Sequence, residues 1–296
     1  MTTVSGAWLP IVTPFREGAV DFVSYEKLIE HYLAAGISGI FPLGTTGESP
    51  TLDDDECEAI VKRTVEVVAG RVPVFVGIGS NSTTKTLKML HRLNRFDFGG
   101  IISVCPYYNR PSQDGLREHF RRVAEATDRQ VVIYNIPYRT GVNLSNDTLL
   151  ELAEQPNIIG VKDSSGNLAQ SIELLRTRPA GFSVMTGEDN YYYTMLALGG
   201  DGGILASAHL ETVAFRSVYE RMLANDHLDA RRIWSPLETF VPLLFREANP
   251  MPIKYCLWRQ GLLHSPECRL PLTRVSSKLA SELDRAMISL GVLLAN

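Results

Sequence analysis

The chain has 296 residues, 45% of them hydrophobic, with 29 basic and 33 acidic side chains and a formal net charge of -4. That length allows a large core, in either two ordinary domains or one α/β barrel of roughly 250 residues. Charges of both signs are spread along the chain with no basic stripe, which excludes the electrostatic footprint of a nucleic-acid or anionic-membrane binder and leaves a small-molecule enzyme.

The opening segment MTTVSGAWLPIVTPF lacks a basic stretch followed by a long apolar run. No later stretch approaches the ~20 apolar residues of a membrane span, so a cytoplasmic protein is expected. Cys57, Cys105, Cys256 and Cys268 lie far apart without a C-x-x-C pair and read as ordinary thiols. The six histidines show neither H-x-x-x-H nor H-E-x-x-H spacing, so no metal site is assigned.

Short apolar runs alternate with amphipathic segments, the pattern of repeated βα units around a parallel sheet. The first run, AWLPIVTPF (7–15), is followed by Asp21, a helix N-cap, and by Phe22, Tyr25, Leu28, Ile29, Tyr32 and Leu33 at helical spacing, with Gly36 closing the helix. Runs at 39–44, 72–79 and 100–106 come next. The acidic stretch Asp53 to Glu56 suits the start of the helix after the second run, and Ser112 caps the helix after the fourth. The remaining runs are 131–137, 158–163, 182–187 and 202–207.

Eight such units predict a (β/α)8 TIM barrel over residues 1–225. An open doubly wound sheet is disfavoured because no G-x-G-x-x-G follows the first run. Beyond residue 226 there is no strand-like run, and two amphipathic stretches predict a C-terminal helical region, 226–296, packed on the barrel.

Side chains at the C-terminal ends of barrel strands converge on one mouth. There the chain places GTTGES (44–49), PYYNRPS (106–112), YNIPYRTG (134–141) and, behind IIGV, Lys162. Seen alone, Lys162 is most simply a lysine whose stem reaches out to water. In an apolar mouth it would lose hydration and favour the neutral amine, which can form a Schiff base with a carbonyl. GTTGES can clasp an anion through Thr45, Thr46 and its backbone, or be a plain turn. Tyr134 can relay protons, or be a packed tyrosine; Arg139 can pair with a carboxylate, or lie in solvent.

With these motifs in hand, the chain resembles the pyruvate-dependent class I aldolase superfamily of dihydrodipicolinate synthases and N-acetylneuraminate lyases. GTTGES, PYYNRPSQDGLREHF, YNIPYRTG, GVKDSSG and EANPMPIK look most like the synthases. The resemblance implies that Lys162 forms the Schiff base with pyruvate and that Tyr134 relays protons with Thr45 and with Tyr108 of a neighbouring subunit. It implies further that Thr46 holds the pyruvate carboxylate, Arg139 binds that of aspartate 4-semialdehyde, and Gly187 and Ile204 line the pocket. Pyruvate and aspartate 4-semialdehyde would then condense to 4-hydroxy-tetrahydrodipicolinate without metal or organic cofactor, in a homotetramer built from dimers.

The chain departs from that pattern in two places. GGILASAHL puts His209 where an asparagine is usual, and the positions that bind inhibitory lysine in some members read Lys85, Asp54 and Cys57, with Ser49 and Asn81 retained. A cationic Lys85 would repel the effector's ammonium, so feedback inhibition is expected to be weak or absent. Two rival enzyme readings are a pyruvate-dependent aldolase acting on a sugar-derived aldehyde, against which Arg139 argues, and a barrel binding a phosphosugar through GGDGG (199–203). A silent keto-acid-binding paralogue would be expected to lack Lys162 or Tyr134.

Overall fold

The computed structural model describes residues 4–293. Eight parallel strands form the barrel: β1 Gly6–Leu9, β2 Gly39–Ile40, β3 Phe75–Gly77, β4 Gly100–Val104, β5 Gln130–Asn135, β6 Ile158–Asp163, β7 Ser183–Thr186 and β8 Gly202–Ile204. Hydrogen bonding runs β2-β1-β8-β7-β6-β5-β4-β3. One bridge, Ile40 with Val74, and a bond from Gly77 N to Pro42 O of 2.9 Å bring β3 back to β2.

Each strand is followed by a helix: α1 Phe22–Ala34, α2 Asp54–Val68, α3 Thr83–Leu93, α4 Gln113–Glu125, α5 Asn146–Leu152, α6 Leu168–Thr177, α7 Tyr192–Ala197 and α8 Thr212–Leu223. Their starts follow local chemistry. Asp21 accepts from Ser24 N, Ser112 accepts from Gly115 N, and Asp53 and Glu56 close a reciprocal capping box. Such caps stabilise a helix by about 1 kcal/mol each. Gly36, at φ +79°, turns the chain out of α1 in the left-handed conformation that glycine adopts without a Cβ clash.

Most strands are shorter than the apolar runs that predict them. The run at 7–15 contributes Gly6–Leu9 to the barrel, and its end enters a small hairpin, Phe15–Arg16 with Ala19–Val20. The run at 158–163 coincides with β6.

The alternation of a strand sorts side chains into two cores. Val131 and Ile133 of β5 face the helices, whereas Val132 and Tyr134 point into the barrel with Trp8, Phe41, Phe75, Ile102, Met185 and Ile204. A register shift lies between Val131 and Val132, which pair with Ile158 and Gly160. Beyond it Lys162 stands opposite Tyr134 on one side and Met185 on the other.

After the barrel come α9 His227–Trp234, α10 Met251–Arg259 and α11 Ser277–Ser289. Trp234, Leu244, Ile253, Leu257 and Leu283 are buried in the same outer core as the barrel helices. Among the described residues no helix is long and apolar enough to cross a membrane.

Candidate active site

The mouth is built around Lys162, only 4% exposed although it is charged in water. Its Nζ stands 4.1 Å from the ring centroid of Tyr134 and 5.4 Å from that of Phe41. Burial lowers its pKa to about 8; Asp189 and Glu188 oppose that shift and Arg139 adds to it. The pocket therefore keeps about a tenth of the amine neutral at pH 7, far more than an exposed lysine would have.

Gly187 makes room for this side chain. A Cβ there would lie 2.2 Å from Ser164 Oγ and 2.7 Å from Lys162 Cε, so a glycine is required for Lys162 to take its place. Ile204, on β8, seals the inner face with 1% exposure.

Tyr134 is raised to about 12 by burial, with Arg139 opposing, so its phenol is protonated. Its hydroxyl lies beside those of Thr45 and Ser164. Ser164 Oγ is buried and closes no full hydrogen bond of its own among the described residues. The result is a cluster of hydroxyls able to pass a proton next to the amine.

The GTTGES loop is fastened from three sides. Thr13 Oγ1 donates to Gly47 O at 2.7 Å, Asn249 Nδ2 donates to Thr46 Oγ1 at 2.9 Å, and Glu48 forms a fully buried ion pair with Lys254 of α10. Glu48 also accepts from Arg269 N at 3.0 Å, and Lys254 donates to Glu267 O at 2.8 Å. Because Thr46 Oγ1 receives a bond from Asn249, its own hydrogen is left to serve a ligand.

A cavity of about 730 Å³ reaches Tyr134, Thr45 and Arg139 from a side lined by Ser49, Lys85, Tyr107 and Leu272. A second, of about 400 Å³, adjoins it across Arg139 and Asn249 and contains Gly187, Glu188 and Asp189. Burial lifts Glu188 to about 7 and Asp189 to about 6.

The fold thus gathers Lys162, Tyr134, Thr45, Thr46, Arg139, Gly187 and Ile204 at one end. Tyr108 is the exception: it is 87% exposed and stands outside the pocket of its own chain, with its backbone at φ +72°. His209 also lies apart. Its Nε2 accepts from Val12 N at 3.1 Å and its Nδ1 faces Ala206 O at 2.7 Å, so the buried ring is a neutral brace for the loop after β1.

A model of the dihydrodipicolinate synthetase family matches residues 3–289. The chain belongs to that family. It is 49% identical to 4-hydroxy-tetrahydrodipicolinate synthase 2 of Clostridium acetobutylicum over 95% of this chain and 99% of that one. It is 38% identical to 4-hydroxy-tetrahydrodipicolinate synthase of Chlorobium chlorochromatii, covering 98% of both. The crystal structure of dihydrodipicolinate synthase from Thermotoga maritima superposes with a TM-score of 0.96 at 35% identity, over 99% of this chain and all of that one. Membership of the dihydrodipicolinate synthetase family makes the chain a lyase of the class I aldolase type.

Some features of this family member were not singled out by sequence reasoning: the Glu48–Lys254 brace, the Asn249–Thr46 bond, and Glu188. The late motif EANPMPIK carries Asn249 and Lys254, yet nothing local in it announces a partner 206 residues away.

Proposed function

We propose that the chain condenses pyruvate with aspartate 4-semialdehyde to give 4-hydroxy-tetrahydrodipicolinate, with Lys162 as the covalent residue. The observation that carries the assignment is the desolvated Lys162 amine facing the Tyr134 phenol at the barrel mouth.

The neutral Lys162 amine attacks the pyruvate ketone, and loss of water from the carbinolamine leaves an imine. Tyr134 donates and recovers the protons that this exchange requires, with Thr45 beside it. The Thr46 hydroxyl and the amides of its loop hold the pyruvate carboxylate. Loss of a methyl proton gives an enamine whose carbon attacks the aldehyde. The amine of the second substrate then displaces Lys162 as the ring closes. Arg139, exposed at the rim with no ion pair among the described residues, takes the second carboxylate.

Tyr108 completes the relay from the partner subunit of a homotetramer. A non-glycine residue held at φ +72° costs about 1–3 kcal/mol, and such strain is usually retained for a purpose. An exposed tyrosine on that backbone suits insertion into a neighbour. One solved relative, 35% identical with a TM-score of 0.95, is a monomeric dihydrodipicolinate synthase variant.

Turnover is tested by coupling the purified protein to a dihydrodipicolinate reductase and following NADPH absorbance. Consumption that requires both pyruvate and aspartate 4-semialdehyde is expected. Cleavage of N-acetylneuraminate in place of that condensation would overturn the assignment.

A further inference from the structure

The smaller cavity beyond Arg139 contains three carboxylates and two guanidinium groups, from Glu188, Asp189, Glu247, Arg139 and Arg246. Most are already engaged. Asp189 accepts from Ser207 N at 2.6 Å, Glu247 accepts from Ser276 N at 3.0 Å, and Arg246 is paired with Glu282. Glu188 is different: its Oε1 is buried without a hydrogen-bond partner among the described residues. Arg139 has no carboxylate partner among them either, although it lines both cavities.

A carboxylate and a guanidinium that line one cavity of about 400 Å³ yet are not paired with each other suit a ligand carrying both signs. Asn249 Oδ1, also buried and unpartnered, lies in the same cavity as a second acceptor. The chemical group that matches is the head of an α-amino acid, with a carboxylate for the guanidinium and an ammonium for the two oxygens.

We propose that Glu188 is a specificity residue that binds the α-ammonium of the aldehyde substrate, with Arg139 holding the carboxylate of the same molecule. The proposal rests on the function assigned above and deepens it. It explains how the site distinguishes an amino-acid aldehyde from one lacking nitrogen, since a buried carboxylate left unpaired penalises the analogue. Gly187, the residue before Glu188, lies against Lys162, where a Cβ would come within 2.7 Å of its Cε, so the bound nitrogen is held beside the carbon it must later attack.

The test compares wild type, E188Q and E188D with two aldehydes, aspartate 4-semialdehyde as substrate and succinic semialdehyde, which lacks the amine, as competitor. E188Q is expected to raise KM for aspartate 4-semialdehyde about 10- to 100-fold, the worth of a charge-assisted hydrogen bond. The inhibition constant of succinic semialdehyde, KM for pyruvate and borohydride trapping of pyruvate on Lys162 are expected to stay as in wild type, and E188D to recover part of the loss. Equal changes for both aldehydes, or none, would overturn the proposal. Loss of trapping in both variants would also overturn it by making Glu188 a scaffold residue. Wild type that traps pyruvate yet does not turn over aspartate 4-semialdehyde would remove the assigned function and this proposal together.

Discussion

Tyr134 and Lys162 occupy facing register positions on neighbouring strands β5 and β6, and the ammonium nitrogen stands over the phenol ring at 4.1 Å. The pair is set by backbone hydrogen bonds, so neither residue can leave without disturbing a strand. Replacing Lys162→Ala is expected to abolish both turnover and borohydride trapping while circular dichroism is unchanged. Tyr134→Phe should keep trapping but lower kcat by about 10²- to 10⁴-fold, the usual contribution of a positioned proton donor. Full activity of the alanine variant would contradict the Schiff-base assignment.

The pH dependence follows from the same pair. Lys162 titrates near 8, and only its deprotonated form attacks a ketone. The rate of imine formation in a single turnover should therefore climb as pH rises toward about 8 and level off above it. A flat profile between pH values on either side of about 8 would argue against a desolvated lysine.

How much of this was legible beforehand differs from residue to residue. The position of β6 was readable because IIGVKD is apolar and β-branched, and the turn chemistry around it is strong. Which face Lys162 takes was not readable, because the register shift opposite Val131 and Val132 depends on the neighbouring strand. Strand lengths were overstated where an apolar run continues into buried loop, as Ile11 and Val12 do after β1. His209 looked like a departure in the site, and its role as a brace for Val12 rests on a contact 197 residues distant. Glu188 was hidden because an acidic residue after a strand has no local mark of burial.

The buried Glu48–Lys254 pair joins the anion-clasping loop to α10. Lys254→Met leaves Glu48 buried without its cation, and about 3–5 kcal/mol of destabilisation is expected, read as a lowered Tm. Glu48→Gln combined with Lys254→Met should lose less than the two single changes added together, because the penalty of an orphaned charge is then counted once. Because the pair holds the loop bearing Thr46, the single variants should also raise KM for pyruvate. Strict additivity in a double-mutant cycle would show that the two side chains do not act as a unit.

Gly187→Ala tests the space around the reactive amine. A new methyl 2.7 Å from Lys162 Cε and 2.2 Å from Ser164 Oγ must push one of them aside. Since Lys162 is the longer and more mobile chain, its amine is expected to swing away from Tyr134, slowing imine trapping at least tenfold with little loss of Tm. Trapping at the wild-type rate would show that Ser164 alone absorbs the methyl.

Lys85 lines the larger cavity with Ser49 and Tyr107, and among the described residues the only carboxylate lining it is that of Glu48. Glu48 is already paired with Lys254, and Asp54 at the neighbouring effector position is paired with Arg92 at 2.9 Å, so an amino-acid effector bringing an ammonium would meet a cation and no unpaired anion among the described residues. Two like charges about 4 Å apart near a protein surface repel by roughly 4 kcal/mol, enough to weaken binding by more than a hundredfold. Initial rates measured across rising lysine concentrations should stay constant into the millimolar range, with any late fall tracking ionic strength. Half-inhibition at micromolar lysine would mean that the effector reaches a carboxylate outside this cavity, and that Lys85 does not govern its entry.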